Sequence, residues 1–375
     1  MTENKPLLVI AGGGTGGHLY PGLAVAETLQ QMRPEFDVVV YGTTRPIDRK
    51  LTEHRNIPLV AQTVQPIPRK IGQFWPFLKG WFKSVKQAKV NFKERPPAIV
   101  LGLGGYAAGP PLTAALSLRI PTAIFNPDAV PGVANRRYAP KVNRVFVQWR
   151  DTLDRFNRAP HVSCTGCPIR SDFFKATRDH GIKALKLDPA KKTLLITGAS
   201  QGAWSINASV VELADLWREM SDWQIVHLTG SADLTMCREK YKEAKVNAVT
   251  LAFTEQMPLC MAASDLILSR AGASTLAEIT GVGRPSVLMP YPFDKKKHQL
   301  ANARVLSEAR AAVIVEDANN PAANAKLLRK ELGDLMKSEH RRRTMSEIAG
   351  SLGRNDAALK IAQELLETAG LDHPA

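Results

Sequence analysis

The chain has 375 residues and a formal net charge of +15, and apolar residues make up 44% of it against 23% for charged ones. This composition excludes a disordered chain, the four cysteines exclude a disulfide scaffold, and the length predicts two domains. No apolar run reaches the ~20 residues that cross a membrane, and Leu7-Leu8-Val9-Ile10 follows the polar start without a signal-peptide pattern, so we expect a cytoplasmic protein.

Short apolar strands alternate with amphipathic helices along the chain. In the first half we predict strands at 7–11, 37–41, 57–61, 98–102, 121–125 and 143–148, and helices at 21–32, 74–92 and 110–118. In the second half we predict strands at 193–197, 223–228, 247–252, 265–269, 285–289 and 311–315, and helices at 203–219, 232–244, 274–282 and 298–308. This alternation predicts two doubly wound α/β domains with parallel sheets, divided near Gly166-Cys167-Pro168 and followed by a polar helical tail at 338–369.

Glycine-rich loops follow four predicted strands and precede helices, at 12–17, 102–110, 198–203 and 269–274, the last with Ser274 as a candidate helix N-cap. Ligands of parallel sheets bind at the carboxyl ends of the strands, where such loops bring backbone N–H groups close to phosphate. Residues 12–17 match G-x-G-x-x-G, but the second strand ends without the acidic residue of a NAD site, and His18 stands where a Walker loop has Lys. One such loop can be a purely structural turn, whereas four predict a phosphate-binding cleft.

Other catalytic motifs are missing, because the sequence has no H-E-x-x-H, no Asp-x-Asp and no Gly-x-Ser-x-Gly. Cys164 and Cys167 form a lone C-x-x-C, for which we favour two buried thiols over a redox pair or a zinc site. His18 lies on a phosphate-type loop, and an imidazole with a pKa near ~6.5 suits proton abstraction. Gln299 and Asn302 share one helix face, either as sugar-binding amides or as ordinary surface residues.

The stretch 69–95 is both basic and aromatic. It holds eight Lys and Arg residues against one Glu, and six of the 24 aromatic residues of the chain, including Phe74, Trp75, Phe77, Trp81 and Phe82. Residues 1–168 as a whole hold 22 basic and 10 acidic residues, so an anionic partner is expected on that half. A buried amphipathic helix is one reading, but the aromatic residues at 74–77 favour docking on an anionic membrane surface.

Several motifs occur in a fixed order along most of the chain. They are Gly13-Gly14-Thr15-Gly16-Gly17-His18 with Pro21-Gly22-Leu23-Ala24-Val25-Ala26, Gly104-Gly105-Tyr106, Ala129-Val130-Pro131-Gly132 with Asn135, Gly198-Ala199-Ser200-Gln201-Gly202-Ala203, Ser269-Arg270-Ala271-Gly272-Ala273-Ser274-Thr275-Leu276-Ala277-Glu278-Ile279, and His298-Gln299 with Asn302-Ala303. In this order they resemble the motifs of the MurG-type glycosyltransferases.

The resemblance implies a GT-B fold of two Rossmann-like domains and inverting transfer of N-acetylglucosamine from UDP-GlcNAc to the 4-hydroxyl of the muramyl sugar of lipid I. The acceptor is undecaprenyl-linked, and the product, lipid II, serves peptidoglycan synthesis. The resemblance also implies no cofactor and no metal in the nucleotide site, and a peripheral enzyme on the cytoplasmic face of the cell membrane. It assigns the acceptor to domain 1–168, with the last helix 352–369 packed on it, and the UDP-sugar to domain 169–351.

Residue roles follow from the resemblance alone. Thr15, Gly16 and Gly17 match the loop facing the donor diphosphate, and His18 matches the proposed general base. Arg170 and Ser200 match donor contacts, and Thr254 matches the position whose backbone reads the uracil. The helix start under the phosphates corresponds to Ala273, Ser274, Thr275, Leu276, Ala277 and Glu278, with Glu278 on the ribose hydroxyls. Gln299 and Asn302 match the sugar contacts.

Two departures from the family pattern concern the acceptor side. The family reads His-Glu-Gln-Asn where this chain has Phe125-Asn126-Pro127-Asp128, so Asp128 replaces the donor-contacting Asn. Cys167 replaces the Asn of Gly-Asn-Pro. Two alternatives therefore stay open, a UDP-GlcNAc-dependent transferase for another glycolipid and a UDP-sugar epimerase of the same fold. The net charge by itself also allows a nucleic-acid binder, but that reading gives the glycine loops no role.

Overall fold

The computed structural model describes residues 5–66, 68, 74–198 and 202–372. The chain divides into two compact units, Met1–Arg170 with Arg354–Ala375 (unit 1) and Ser171–Gly353 (unit 2). Each unit is built on its own parallel sheet, as the alternation of strands and helices predicts. In the described part of the chain, no helix is long and apolar enough to span a membrane.

Unit 1 contains a seven-stranded parallel sheet. The strands are β1 (Leu7–Ala11), β2 (Asp37–Thr43), β3 (Leu59–Gln62), β4 (Ile99–Gly102), β5 (Thr122–Asn126), β6 (Arg144–Val147) and β7 (Val162–Cys164), in the order β3-β2-β1-β4-β5-β6-β7. The helices are α1 (Gly16–Met32), α2 (Pro46–Glu53), α3 (Phe74–Glu94), α4 (Gly109–Ser117) and α5 (Val133–Tyr138), with a 3₁₀ helix at Arg150–Phe156. Strands β1, β4 and β5 are buried along their whole length, because helices cover both faces of such a sheet.

Unit 2 contains a six-stranded parallel sheet in the order β10-β9-β8-β11-β12-β13. Its strands are β8 (Lys192–Thr197), β9 (Trp223–Leu228), β10 (Ala248–Leu251), β11 (Leu266–Ser269), β12 (Ser286–Leu288) and β13 (Ala312–Ile314). The helices are α6 (Asp172–Lys175), α7 (Arg178–Leu185), α8 (Trp204–Val211), α9 (Ala214–Glu219), α10 (Leu234–Glu243), α11 (Met257–Ala263), α12 (Ala273–Gly281), α13 (His298–Glu308), α14 (Pro321–Lys337) and α15 (Glu339–Leu352).

The last helix, α16 (Ala357–Thr368), belongs to unit 1 and packs against α1. Arg144 on β6 holds it by ion pairs to Glu364 (2.8 Å) and Glu367 (2.7 Å), and Ser163 donates a hydrogen bond to Glu364. The helical tail predicted at 338–369 comprises α16 and the preceding α15, which ends at Leu352. Gly353 follows, where a Cβ would lie 2.6 Å from the Thr280 carbonyl oxygen.

The predicted strands all occur, with boundaries shifted by one or two residues, but some helices differ. The single helix predicted at 203–219 is interrupted after Val211, so that α8 and α9 are separate. The sequence patterns do not predict strand β7 or helices α2, α5, α6, α7, α11 and α14. Strand β7 has three half-buried residues, which is too short a pattern to identify.

The topology places a switch point in each unit. In unit 1 the chain leaves β1 towards β2 on one side, and later leaves β4 towards β5 on the other. In unit 2 the same reversal lies between β8 and β11. Loops after these strand pairs separate at the carboxyl edge and leave a crevice, which is where ligands bind in doubly wound sheets.

Candidate active site

In unit 1 the loop after β1 carries His18. Gly13 and Gly14 have φ values of +153° and +87°, a conformation that favours glycine, and α1 begins at Gly16. His18 lies in the first turn of α1, where its Nδ1 is 2.8 Å from the Thr15 hydroxyl. Thr15 occupies the N-cap position of α1, but its hydroxyl is committed to His18 and does not cap the helix. The start of α1 therefore holds one imidazole in a defined orientation.

The hydrogen bond to Thr15 decides what His18 can do. If the Nδ1–H donates to the Thr15 oxygen, Nε2 is the unprotonated nitrogen and can accept a proton. Burial lowers the pKa of His18, while the nearby carboxylates of Asp128 and Asp48 raise it. The lowered pKa keeps the imidazole neutral at neutral pH, as a general base requires.

Asp128 approaches the same place from the loop after β5. Its side chain is half-buried, and the Asn126 amide donates a 2.7 Å hydrogen bond to its backbone carbonyl. Asn135 on α5 fixes this loop from below by donating to the Phe125 carbonyl (3.2 Å) and to the Asn126 side-chain oxygen (3.0 Å). The structure thus brings Thr15, His18 and Asp128 together at the switch point of unit 1.

In unit 2 a pocket of about 290 Å³ opens at the switch point. It is lined by Gly198, Gly202, Ala203, Trp204, Ser205, Arg270, Gly272, Tyr291, Pro292, Phe293, Gln299 and Asn319. The loops after β8, β11 and β12 supply most of this lining. Trp204, Tyr291 and Phe293 are exposed aromatic residues on it, at 56%, 48% and 61%. Such a pocket offers apolar ring faces together with backbone and amide polar groups.

A buried ion pair braces this pocket. Arg270 contacts Asp317 at 2.9 Å, and both side chains are nearly inaccessible, at 8% and 0%. Ser205 bridges them, donating to Asp317 (2.6 Å) and accepting from Arg270 (2.7 Å). Burial raises the pKa of Asp317, but hydrogen bonds from Ser205, Asn324 and Arg270 outweigh it and hold that pKa below its usual range. The loops after β8, β11 and β13 are thereby tied to one another.

The helix that starts beside this pocket differs from the prediction in its first residues. Helix α12 begins at Ala273 and its cap position is Gly272, so Ser274 is wrong as an N-cap and lies inside the helix. The positive end of the helix dipole lies at the first residues of α12, which favours a bound anion there. The side chains of Leu276 and Ala277 are buried, so these two residues can serve a ligand only through their backbone.

Comparison with known proteins identifies the family. The chain matches the glycosyltransferase family 28 N-terminal domain over residues 8–147 and the C-terminal domain of that family over residues 193–364. It is 34% identical over 363 residues to the Bacillus subtilis UDP-N-acetylglucosamine--N-acetylmuramyl-(pentapeptide) pyrophosphoryl-undecaprenol N-acetylglucosamine transferase, covering 96% of this chain and 99% of that protein. The enzyme of the same name from Carboxydothermus hydrogenoformans is 35% identical over 359 residues, 94% of this chain and 95% of that one.

The crystal structure of Acinetobacter baumannii MurG matches the fold with a TM-score of 0.75 and 25% identity, over 96% of this chain and 99% of that chain. The chain belongs to the MurG-type glycosyltransferases of family 28. Its GT-B fold and its class, a glycosyltransferase, are thereby confirmed. The UDP-GlcNAc 2-epimerase from Neisseria meningitidis also matches, with a TM-score of 0.61 and 14% identity over 96% of this chain and 100% of that chain, and that likeness concerns the fold alone.

Of the residues that the MurG-type resemblance assigns to the sugar, the structure places one in the pocket. Gln299 lines it and accepts hydrogen bonds from the backbone N–H groups of Ala271 (3.2 Å) and Tyr291 (3.0 Å). Asn302 is completely buried and donates to the Ala271 carbonyl at 3.3 Å. The Asn302 side chain thus holds the loop after β11, and its sugar contact stays a prediction.

The remaining predicted donor contacts lie at several places. Glu278, Ser274 and Thr275 are half-buried on α12, and Thr254 is half-buried after β10, where its hydroxyl accepts from Gln256 N–H (3.0 Å). Arg170 ends the first of the two segments of unit 1, and its guanidinium lies 5.0 Å from the ring centre of Tyr20 on α1. Ser200 lies outside the described residues. For these positions the roles implied by the MurG-type resemblance stay predictions.

The sequence patterns missed Arg270 and Asp317 as a pair. Arg270 is part of the motif at 269–279, but Asp317 lies 47 residues further on, and no local pattern links them. A polar pair at the ends of two strands, β11 and β13, becomes visible only when the strand order is known. Within the described residues no group of three or more His, Cys, Asp or Glu side chains could hold a metal ion.

The four cysteines are free thiols. Cys167 is buried and Cys164 half-buried, and their sulfurs donate to separate carbonyls, those of Pro168 and Gln148. Burial raises the pKa of Cys164. This arrangement is that of two packed thiols, which is the reading that the sequence favoured.

Helix α3 presents the aromatic and basic stretch in an unusual orientation. Its buried residues are Gly80, Ser84, Ala88 and Phe92, mostly small, and spaced by four. Gly80 is required there, because a Cβ would lie 2.7 Å from the Thr63 carbonyl oxygen. The helix thus packs closely with a narrow face and turns its larger apolar side chains outward.

The outward face of α3 is strongly apolar. Trp75 is 80% exposed, Phe82 65% and Phe74 50%. Phe77 and Trp81 are half-buried, and the Phe77 ring lies 6.1 Å from each of the Phe74 and Trp81 rings, so these two support the exposed ones. Lys86, Lys89 and Lys93 lie beside Phe82 and Val90 along the same helix. Arg69 and Lys70, part of the predicted basic stretch, lie outside the described residues.

Proposed function

We propose that this chain transfers N-acetylglucosamine from UDP-GlcNAc to the 4-hydroxyl of the muramyl sugar of lipid I and so forms lipid II. The observation that carries the proposal is the His18–Thr15 pair at the switch point of unit 1, in a chain that is 34% identical over 96% of its length to a transferase of that name. The pair provides an oriented general base, and the name of the relative identifies the substrates that we assign to this chain.

The reaction is a single displacement at the anomeric carbon. The acceptor oxygen attacks the anomeric carbon while the bond between that carbon and the UDP oxygen breaks, so that the configuration at the carbon inverts. His18 takes the acceptor proton at Nε2, with Thr15 holding the ring by Nδ1. The carboxylate of Asp128 stabilises the imidazolium that forms, because it raises the pKa of His18.

The leaving diphosphate needs positive potential as its charge grows. In unit 2 the start of α12 offers the positive end of its helix dipole, and the adjoining pocket offers Gln299 and the ring faces of Tyr291 and Phe293. These features support the assignment of the donor to unit 2 and of the acceptor to unit 1. Glu278, on the second turn of α12, would accept hydrogen bonds from the ribose diol.

The decisive experiment incubates the purified chain with UDP-GlcNAc and lipid I and separates the lipid products. We expect one N-acetylglucosamine to be added to lipid I with release of UDP. An epimerase would convert UDP-GlcNAc without any acceptor lipid, and a transferase for another glycolipid would leave lipid I unchanged. Either of these two results would replace the proposal.

We further propose that the exposed face of α3 holds the enzyme on the anionic cytoplasmic face of the cell membrane as a peripheral protein. Trp75, Phe74 and Phe82 would enter the headgroup region, and each basic side chain near an anionic surface adds about 1 kcal/mol. The lipid-linked acceptor would then diffuse to the enzyme within the membrane plane.

Vesicle sedimentation tests this surface. The wild type should pellet with anionic vesicles, less so at high salt, and W75S combined with F82S should abolish pelleting. The matched control is L327S on α14 of unit 2, since Leu327 is also an exposed apolar side chain, at 47%. Equal pelleting of the double variant and the wild type would show that α3 is not the docking face.

A further inference from the structure

Asp48 is a buried carboxylate that none of the roles above uses. It lies in the first turn of α2, and its side chain is completely inaccessible. The backbone N–H of Gly14 donates to both of its oxygens, at 2.8 and 2.9 Å. The backbone N–H and the hydroxyl of Thr43 donate to Oδ2, each at 2.7 Å. A buried charge is tolerated when several donors surround it in this way.

The glycine loop is shaped around this carboxylate. A Cβ on Gly13 would lie 2.2 Å from Asp48 Oδ2, and one on Gly42 would lie 3.1 Å from the same atom. The carboxylate therefore occupies the space that side chains at these positions would fill. Gly13 and Gly14 serve the approach of an internal carboxylate, in addition to any approach of a phosphate from outside.

A second side chain binds the carbonyl group of Gly14. Arg45, at the N-cap position of α2, donates from its guanidinium to the Gly14 carbonyl at 2.9 Å. The N–H of Gly14 is thus bound by Asp48 and its C=O by Arg45. The next residue is Thr15, whose hydroxyl orients His18.

We propose that Asp48 and Arg45 form a clamp on Gly14 that positions the Thr15–His18 pair, so that both are positioning residues for the transfer reaction. This inference rests on the proposed function, because it assigns His18 the role of base. A loop that lost the clamp would let Thr15 move relative to α1, and a displacement of about 1 Å at a reacting group costs on the order of 10²-fold in rate.

Asp48 also acts on His18 through its charge, since the carboxylates of Asp48 and Asp128 both raise the pKa of the imidazole. Two substitutions distinguish an effect on the position of His18 from an effect of the Asp48 charge on its pKa. D48N removes the charge and turns an amide group with its own N–H donors towards the N–H groups of Gly14 and Thr43. R45M keeps the carboxylate and releases only the Gly14 carbonyl.

The experiment measures kcat, the donor KM and the titration of His18 by NMR with ring-labelled histidine, the His18 signal being assigned with H18Q. We expect D48N to lower kcat roughly 100-fold and R45M roughly 10-fold, with little change in donor KM. The His18 pKa should fall in D48N and stay within a few tenths of a unit in R45M, while the Nδ1–H tautomer population decreases in both. D37N is the control, because Asp37 is a half-exposed carboxylate on β2 of the same unit.

Melting curves separate loss of the clamp from loss of the fold. If D48N fails to fold, the R45M values for kcat and tautomer population decide the matter. Unchanged kcat and unchanged His18 signals in both variants would overturn the clamp. Failure of the wild type to use lipid I would overturn the proposed function but leave the NMR result intact, since the tautomer of His18 is read without any substrate.

Discussion

Two strand–loop–helix turns of this molecule each follow a strand at the switch point of a sheet but are held by different chemistry. The turn after β1 in unit 1 is bound by the carboxylate of Asp48 and carries a titratable side chain, His18. The turn after β11 in unit 2 is bound by the amides of Gln299 and Asn302 and by the Arg270–Asp317 pair. We propose that the first turn moves a proton, whereas the second stabilises an anion at the positive end of α12. Similar glycine loops therefore need not have similar roles.

The largest expected effect comes from breaking the brace in unit 2. R270M leaves the Asp317 carboxylate buried without its cation, which should cost about 3–5 kcal/mol of unfolding free energy. Denaturant unfolding measures this loss, and UDP affinity should fall with it. The double variant R270M/D317L removes both charges and should recover most of the stability. If it recovers none, the pair is less important than the packing of Arg270 itself.

The matching test in unit 1 is H18Q. Removing the base should lower kcat by roughly 10²–10⁴-fold while the dissociation constant of UDP-GlcNAc changes little. Because the pKa of His18 is lowered, the wild type should keep its activity below pH 6.5, down to the pH at which the imidazole becomes protonated. H161Q is the control, since His161 is an exposed histidine of the same unit. An equal loss of donor affinity in H18Q would make His18 a binding residue.

Donor recognition in unit 2 is probed by E278A. If Glu278 accepts hydrogen bonds from the ribose diol, its removal should weaken UDP binding roughly 10- to 100-fold, since hydrogen bonds to charged groups contribute about 1.5–3 kcal/mol. Calorimetric titration with UDP measures it, and E308A on the exposed side of α13 serves as the control. An unchanged affinity would remove Glu278 from the site and leave the pocket around Gln299 as the donor region.

These contrasts also show what the sequence could and could not predict. The strand series, the two domains and the loop with His18 follow from apolar periodicity and glycine placement, which are local signals. Helix α14 also has local signals that would have allowed its prediction, because Asn320 caps it and Pro321 is its first residue. The partnership of Asp48 with Gly14 spans 34 residues, and that of Arg270 with Asp317 spans 47. Such pairs depend on strand order and on burial, which no local pattern contains.

The spacing of Gln299 and Asn302 could not show how differently the two side chains are placed. Gln299 and Asn302 do share a helix turn, and spacing alone treats them alike. Gln299 lines the pocket, while Asn302 points into the packed side of α13 and is fully buried. A rotation of about 60° around the helix axis thus separates a pocket residue from a loop anchor.

The smallest expected effect is that of a substitution at Asp128. It tests whether proton transfer belongs to the turn after β1 and anion binding to the turn after β11. The base works only when it is unprotonated, and Asp128 raises the pKa of His18 by favouring the imidazolium. D128N removes that charge, so the His18 pKa should fall and the acid limb of kcat/KM should move to lower pH by a fraction of a unit. Donor affinity should stay the same, because Asp128 lies in unit 1 near the base. The control is D154N, an exposed carboxylate of the same unit. A sharp rise in UDP-GlcNAc affinity in D128N would instead mean that the carboxylate had been repelling the diphosphate, and the proposed role of Asp128 beside the base would fail.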